Sequence, residues 1–520
     1  MAGQRTLVLI SLLLAAFAIN LDTTIVNVAL PTLVRELHAS TTQLEWIVDA
    51  YNLTFAALVL ACGNLGDRRG RKGVLLLGLA VFGAASLAGG LGNSAGELIA
   101  ARAVMGIGAA LIFPATLSLL TNVFTERRER ARAIGLWGAT TGIGIAVGPI
   151  VGGWLLEHFS WSSVFFALAP IAAIGILLVS YSVPTSRDPD APPADRMGLG
   201  LSTAAMAILT YSIIEAPNHG WSSAPTLAGI AGAAVLLAGF VSWERRVRVP
   251  MIDVALFRNL RFSAASGAVT ITFFSLMGFI FVITLYFQFL KGYGPLSTGV
   301  RLLPVATMVG ITSVLGTRLA VHSGTKLVVA GGLVSLAAGL AWASTASAST
   351  SYLTIGLTMI FIGSGIGLTS APATESIMGA VPSAKAGVGS AINDATRILG
   401  GTVGVAVIGS TYASLYTSRL ADSLSASVPG PIVSSARRSV GAALEVAGRL
   451  DSAGHPGVAR SVRAAASDAF FHGFQLAVLV AVGVAIAGVV AAVALIPAQP
   501  PLASGDGDAD QATGKPAVAS

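Results

Sequence analysis

The chain has 520 residues, of which 54% are hydrophobic and 11% charged, and its mean hydropathy is +0.79. Soluble globular proteins carry about 25% charged residues, so the composition excludes an ordinary soluble domain and indicates a polytopic membrane protein. The net charge of +7 does not require nucleic acid as a partner, because Lys and Arg collect in cytoplasmic loops of membrane proteins. The single cysteine, Cys62, excludes a disulfide framework, and no Cys/His cluster predicts a metal site.

Fourteen apolar segments are each long enough to cross a bilayer as a helix, which takes about 20 residues. They predict an all-α protein with spans at 7–30, 44–63, 73–92, 97–121, 131–155, 162–183, 198–216, 224–243, 262–290, 296–318, 326–345, 352–377, 386–413 and 469–497. No small-residue cleavage site follows the first apolar run, which continues to Pro31, so it is not predicted to be a signal peptide.

The distribution of basic residues orients these spans. An even number of spans places both termini on one side, and the loops and tails of that side hold most of the Lys and Arg residues. The six short loops of the opposite side hold only Arg35 and Lys291. The positive-inside rule therefore predicts a multi-pass protein of the cell membrane with cytoplasmic N- and C-termini.

Three stretches outside the spans differ in composition. Residues 184–197 are predicted as a flexible inner linker, and residues 498–520 as a disordered cytoplasmic tail. Residues 414–468 are predicted as an extracellular excursion with Ala-rich helical patches such as Ala436–Leu450. The chain has no soluble enzymatic domain and no G-x-x-x-x-G-K-[ST] phosphate loop, so ATP is not the predicted energy source.

Carboxylates inside apolar spans cost about 2.5–3.5 kcal/mol each on insertion scales, so each is a candidate functional residue. Asp22 lies in span 1, Asp49 lies in span 2, and Arg102 lies at a similar depth in span 4. An arginine favours the charged form of a nearby carboxylate, whereas burial disfavours it. Movement of the arginine, or arrival of a substrate cation, could therefore switch proton binding. A static ion pair that fixes helix packing is the alternative.

Three further acids lie in or near later spans. Asp394 in span 13 is followed on the same helical face by Arg397, so a second cation or proton site and a local ion pair both stay open. Glu375, near the inner end of span 12, fits either a cytoplasmic vestibule or the membrane interface. Glu215, near the outer end of span 7, is predicted to be interfacial and solvated.

The loop after span 2 combines glycines with charges, at Gly63, Asp67, Arg68, Gly70, Arg71 and Lys72. Glycines allow tight turns, and the acid can pair with the arginines or lie at the start of span 3, where the helix dipole favours an anion. Such a loop could latch two helices in one state and release them in another, or be a solvated positive loop. A weaker echo, from Leu319 to Lys326, predicts an internally repeated architecture.

Span 5 carries a longer glycine pattern, at Gly135, Gly144, Gly148, Pro149, Gly152 and Gly153. Glycines four residues apart form a smooth face that a neighbouring helix can approach closely, and the proline permits a kink. Generic packing of small residues is the alternative.

Two further motifs accompany these, namely the run LDTTIVNVALP at 21–31 and Arg102 with Gly106 and Gly108. Together the motifs resemble those of the fourteen-helix drug:proton antiporter branch of the major facilitator superfamily. Acids at Asp22 and Asp49 are typical of its quaternary-ammonium-type multidrug exporters. The resemblance covers residues 7–497 and implies two six-helix bundles, at 1–183 and 262–497. Two extra helices would lie within 184–261, and the bundles would rock around a central cavity.

The resemblance implies a proton-coupled, monomeric exporter of lipophilic cationic drugs or antibiotics, with no prosthetic group and no nucleic-acid partner. Asp22 and Arg102 would couple protons, while Asp49, Asp394 and Glu375 would recognise positive charge. The loop after span 2 would gate, and the span 5 glycines would form a hinge or seal. The alternatives are a dedicated exporter of one antibiotic or lipid-like metabolite, a nutrient:proton symporter, and a membrane receptor that transports nothing.

Overall fold

The computed structural model describes residues 2–187, 195–250, 254–379, 386–424 and 428–496. Within these ranges the regular elements are helices, and no strand occurs. The predicted tail at 498–520, the middle of the predicted linker at 188–194 and the basic residue Lys385 lie outside the described residues.

The helices that precede residue 250 are α1 (Ala2–Leu37), α2 (Thr41–Arg69), α3 (Arg71–Leu91), α4 (Ala95–Val123), α5 (Arg127–His158), α6 (Ser163–Phe166), α7 (Leu168–Ser182), α8 (Arg196–Ile214), α9 (Ala216–His219) and α10 (Ala224–Glu244). After a 3₁₀ turn at Val254–Arg258 come α11 (Leu260–Leu285), a π-helical turn (Tyr286–Leu290), α12 (Pro295–Arg301), α13 (Leu303–Ser323), α14 (Thr325–Ala343), α15 (Tyr352–Gly379), α16 (Ala386–Leu424), α17 (Gly430–Ala436), α18 (Val440–Ser452) and α19 (Pro456–Leu495).

Each predicted span coincides with one helix or with two consecutive helices. Among the described residues, 12 helices are long and apolar enough to cross a membrane, and 13 if the bent pair Thr41–Val59 and Ala61–Arg69 forms one span. The remaining predicted span coincides with α5, which has 32 residues. The prediction of an all-α polytopic membrane protein is confirmed.

Four helix ends lie well beyond their predicted positions. Helix α1 continues to Leu37, α2 continues to Arg69, α16 continues to Leu424, and α19 already begins at Pro456. Hydropathy marks only the part of a helix that lipid surrounds, and polar residues can continue the helix past it. The extensions of α16 and α19 are joined by an exposed ion pair, in which Arg419 Nε lies 2.8 Å from Asp468 Oδ2.

Polar side chains fix several helix starts. Ser40 forms a capping box with Gln43 at the start of α2, and Ser94 accepts a hydrogen bond from the Glu97 amide at the start of α4. Asp195 caps α8 in the same way. These side chains satisfy backbone N–H groups that have no partner inside the helix.

The long helices pack in two groups. In the N-terminal half, α1 contacts α5 and α7, while α4 packs between α2 and α3. In the C-terminal half, α11 contacts α16, α15 packs between α13 and α14, and α19 packs against α14 and α16. Helices α8 and α10 pair with each other, and α8 also contacts α2 and α16.

Exposure of apolar residues separates central from peripheral helices. The apolar window of the span at Leu260–Leu290 is 78% buried inside the protein, whereas that of α10 is 17% buried. Because every span is apolar, low burial marks a surface that lipid covers. Helix α11 is therefore central, and α10 lies at the lipid-facing edge.

Hydrogen bonds join the two halves at one end of the molecule, the end that carries α17 and α18, named here the excursion side. On that side the Gln288 side chain donates to the Val28 carbonyl over 2.8 Å. The Leu296 amide donates to Glu157 Oε1 over 3.2 Å, and the Arg438 guanidinium donates to the His38 carbonyl over 2.8 Å. In the described residues the halves are thus closed against each other on the excursion side.

Candidate coupling and substrate site

Asp22 on α1 and Arg102 on α4 form a buried ion pair. Arg102 Nη1 lies 2.8 Å from Asp22 Oδ1 and 2.7 Å from Oδ2. Asp22 is 0% exposed and Arg102 is 1% exposed. Arg102 Nε also donates to the Ile47 carbonyl of α2 over 3.0 Å, and its guanidinium lies over the Tyr51 ring, 4.2 Å from the centroid. The pair therefore joins three helices.

Glycine allows these helices to approach. A Cβ atom at Gly106 would overlap Thr54 Oγ1 and the Tyr51 carbonyl oxygen of α2. On the other side of α4, a Cβ at Gly108 would lie 2.7 Å from the Phe82 amide nitrogen of α3. The close contact of α2 with α4 positions Tyr51 beneath the Arg102 guanidinium.

The glycine motif of α5 packs beside Asp22. Three of its members face α1, namely Gly144, Gly148 and Gly152. A Cβ at Gly148 would overlap Thr24 Oγ1, two residues after Asp22. Gly153 faces α12 instead, where a Cβ would lie 2.6 Å from the Leu296 amide nitrogen. The motif therefore gives α5 one close contact within its own half and one with the other half.

Asp49 lies on α2, is 0% exposed, and neither of its carboxylate oxygens has a hydrogen-bond partner in the described structure. One turn earlier lies Glu45, also 0% exposed, whose Oε2 accepts a hydrogen bond from Ser410 of α16 over 2.8 Å. Glu45 was not among the acids predicted from the sequence. Its position four residues before Asp49, on the same helical face, is the signal that could have found it.

Glu215 joins this region from the end of α8. Its Oε1 accepts a hydrogen bond from Trp46 Nε1 over 3.2 Å, and its Oε2 accepts one from Asn218 over 2.8 Å. The side chain is partly exposed. The structure thus brings Glu215 towards the two buried acids of α2, which the sequence alone did not indicate.

The acids of the C-terminal half lie on α15 and α16. Asp394 is partly buried and Glu375 is exposed. Arg397 Nη2 donates to Thr374 Oγ1 over 3.1 Å rather than to Asp394, and its Cζ lies 5.4 Å from the centroid of the Phe273 ring. No described hydrogen bond or ion pair connects these residues to the acids of α1 and α2.

Aromatic rings continue from the ion pair along the inside of the N-terminal half. Ring centroids are 6.0 Å apart between Tyr51 and Phe55, 5.7 Å between Phe55 and Phe113, and 5.0 Å between Phe113 and Trp137. The first two rings are buried and the last two are partly exposed. These four rings are named here the aromatic row, and its partly exposed end, Phe113 and Trp137, offers stacking surface for a lipophilic cation.

The predicted loop after span 2 is mostly helical, which corrects the expectation of a glycine-rich turn from Gly63 onwards. Residues 63–69 complete α2, and only Gly70 leaves the helical conformation. Arg71 Nε lies 2.7 Å from Asp67 Oδ1, and Lys72 Nζ donates to the Ser180 carbonyl over 2.8 Å. Arg68 is exposed. The charged residues therefore join α2, α3 and the end of α7.

The weaker echo of this loop has the same backbone conformation. Gly70 between α2 and α3 has φ +113°, and Gly324 between α13 and α14 has φ +84°. Both values lie in the left-handed region, which glycine adopts without steric cost. The shared turn supports the internal repeat that the sequence echo predicts.

No group of three or more His, Cys, Asp or Glu side chains that could hold a metal ion occurs in the described ranges.

A sequence model described as Major Facilitator Superfamily matches residues 12–405. The chain belongs to the major facilitator superfamily. This confirms the family that the sequence motifs indicated. The apolar helices and the family together make it a multi-pass membrane protein.

Relatives within the major facilitator superfamily cover most of the chain. Multidrug resistance protein Stp of Mycobacterium tuberculosis is 36% identical over 83% of this chain and 80% of its own length. Multidrug efflux pump LfrA of Mycolicibacterium smegmatis is 34% identical over 87% of this chain and 90% of its own. The methylenomycin A resistance protein of Streptomyces coelicolor is 37% identical over 75% of this chain and 82% of its own.

A solved transporter structure shares the fold. A bacterial homologue of the human lysosomal transporter Spinster, in an inward-facing and unoccupied conformation, superposes with a TM-score of 0.64 over 95% of this chain and 98% of that chain. Its sequence identity is 15%, so the likeness concerns the fold alone.

Proposed function

We propose that this chain is a proton-coupled efflux transporter of lipophilic cationic drugs or antibiotics. The observation that carries the proposal is the buried Asp22–Arg102 pair, with the aromatic row beginning at the ring beneath its guanidinium. Relatives at 34–36% identity named for multidrug resistance and multidrug efflux support it. The proton gradient supplies the energy, and no cofactor takes part.

Coupling follows from competition for carboxylates. A buried charge is costly unless it is paired, so Asp22 remains charged only while Arg102 stays beside it. Displacement of Arg102 during the transport cycle makes a proton the simplest replacement for the lost positive charge. A substrate cation that approaches the carboxylate adds charge that competes with that proton, which is the basis of antiport.

The two helix groups are the moving bodies of the proposed mechanism. Residues 1–183 and 262–497 form the two bundles, while α8 and α10 lie between them, with α10 at the lipid-facing edge. Both termini lie in the cytoplasm, so the excursion side faces outwards. Asp49, Asp394 and Glu375 recognise the substrate charge, and the Gly63–Lys72 segment, with the α5 glycines, controls the movement.

The test is substrate-driven proton movement in proteoliposomes that contain the purified protein and an imposed pH gradient. We expect monovalent and divalent lipophilic cations to release protons through the wild type and not through Asp22→Asn. The control is Asp468→Asn, which neutralises an exposed acid of the excursion and should behave like the wild type. Equal proton flux in Asp22→Asn and wild type would contradict the assignment of Asp22.

A dedicated exporter of one antibiotic is the second candidate. The relative named for methylenomycin A resistance, at 37% identity, favours it. In that case the cation panel moves no protons through folded wild-type protein, whereas a single antibiotic does. Asp49→Asn would then leave transport of an uncharged antibiotic unchanged.

A further inference from the structure

Glu45 is the buried acid that the proposed mechanism has not used. It lies where α2 of the N-terminal half meets α16 of the C-terminal half, and it is 0% exposed. Its Oε2 accepts a hydrogen bond from Ser410 Oγ over 2.8 Å. A Cβ atom at Gly409 would lie 2.8 Å from Glu45 Cδ, so the backbone of α16 covers the carboxyl group directly. Each half thus supplies one wall of this small enclosure.

The surroundings of Glu45 contain acids and no basic partner in the described structure. Asp49 lies one turn along α2, and Glu215 approaches from the end of α8. Tyr211 of α8 packs its ring against Trp46, and α16 contributes the hydroxyl of Ser410. Helix α4, which packs against α2, carries the buried cation Arg102, and this arginine is held by Asp22. Glu45 Oε1 has no hydrogen-bond partner among the described residues.

An ionised carboxylate in such a place is strongly disfavoured, because neither water nor a cation compensates its charge. A bound proton removes this cost and leaves the hydrogen bond to Ser410 intact. When α2 and α16 separate, water reaches the carboxyl group and the charged form is no longer penalised. Closure of the two helices and protonation of Glu45 are therefore linked.

We propose that Glu45 is a proton-controlled seal between the two halves, a positioning residue that holds the excursion side closed when it carries a proton and opens it when it is ionised. The proton enters and leaves from the excursion side, so Glu45 sets when the halves part and does not carry the transported proton. The inference rests on the proposed transport function, in which the halves move.

The test follows the separation of the halves with spin labels in full-length protein in lipid nanodiscs. The labels are attached to cysteines that replace Asn93, in the exposed turn between α3 and α4, and Ser349, in the exposed turn between α14 and α15. Cys62→Ser first removes the native thiol. We expect the wild-type distance to lengthen as pH rises. Glu45→Gln keeps a hydrogen-bonding side chain without ionisation, so its distance should stay short at every pH. Asp468→Asn is the control and should keep the wild-type response.

A second variant protects the test if Glu45→Gln does not fold. Ser410→Ala removes the hydrogen bond that stabilises the closed, protonated state, so a higher proton concentration is needed to close the seal. The midpoint of the distance change should move to lower pH by about 0.7 of a pH unit, the shift that one typical hydrogen bond produces. An unchanged midpoint in Ser410→Ala, or a wild-type response in folded Glu45→Gln, overturns the proposal.

The proton-flux assay separates this inference from the proposed function. One outcome is cation-driven proton flux that depends on Asp22, together with label distances that are the same in wild type and Glu45→Gln. This outcome refutes the seal and still supports the proposed exporter. Label distances that depend on Glu45, without any cation-driven flux in the wild type, support the seal and refute the exporter of lipophilic cations.

Discussion

At the scale of single residues, the two ends of the Asp22–Arg102 pair have unequal surroundings. Besides the Asp22 carboxylate, the partners of Arg102 include the Ile47 carbonyl and the Tyr51 ring. Both carboxylate oxygens of Asp22 accept their hydrogen bonds from the same Arg102 nitrogen, Nη1. The Asp22 carboxylate therefore depends on Arg102 to stay charged. We expect loss of Arg102 to destabilise the charged form of Asp22.

Arg102→Met tests this dependence because it keeps much of the side-chain volume and removes the charge. Loss of one member of a buried pair costs about 3–5 kcal/mol, so we expect a clear fall in the thermal unfolding midpoint of the detergent-solubilised protein. Asp22→Asn combined with Arg102→Met should recover part of the loss, because no uncompensated charge remains. A double variant that is no more stable than Arg102→Met would contradict the pairing.

At the scale of helices, α5 depends on glycine for its contact with α1. The Gly148 position has no room for a side chain because Thr24 Oγ1 and the Leu21 carbonyl lie against it, and the carbonyl oxygen would be 3.0 Å from an added Cβ atom. Thr24 lies two residues after Asp22, so displacement of α5 should also disturb the ion pair. The contact with α5 and the ion pair with α4 therefore lie on different faces of the same turn of α1.

Gly148→Ala should force α5 away from α1 and lower cation-driven proton flux several-fold, since well-packed interiors accommodate even one added methyl group poorly. The matched control is Gly310→Ala on α13, where a Cβ would meet nothing within 4 Å. Both changes add the same methyl group to a glycine in a long helix. Equal flux in the two variants would contradict a role for close α1–α5 packing.

At the scale of the whole molecule, the segment 414–468 belongs to the C-terminal half yet contacts the N-terminal half. The Arg438 carbonyl accepts a hydrogen bond from the Thr41 amide over 3.2 Å, and the Arg438 guanidinium donates one to the His38 carbonyl. Gly441 packs against Val34 at the end of α1. The excursion thus spans both halves on the side where they are closed.

A cross-link between the excursion and α2 should lock that closure. In a Cys62→Ser background, Thr41→Cys with Arg438→Cys places two thiols on residues whose backbones are hydrogen-bonded to each other. We expect oxidation to stop transport in proteoliposomes and a reductant to restore it, with each single-cysteine variant unaffected. Full transport by the oxidised, cross-linked protein would show that the excursion need not leave α2.

Hydropathy was enough to predict the order and approximate limits of the spans, because a bilayer requires long apolar helices whatever their neighbours are. The sequence also identified Asp22, Asp49 and Arg102 as candidate functional residues, since charged residues are rare within apolar helices. Hydropathy did not predict the polar extensions of α16 and α19 or the helical conformation of residues 63–69. It marks the part of a helix that lipid surrounds, and these segments are helical outside that part.

Which charges meet depends on the assembled fold. The pairing of Asp22 with Arg102, residues 80 positions apart, depends on how α1, α2 and α4 pack, and periodicity within each helix carries no information about that. Glu45 likewise became a candidate through its hydrogen bond with Ser410, which lies 365 positions away on α16. Contacts between distant helices arise from packing of whole surfaces, so they become visible only when the helices are assembled.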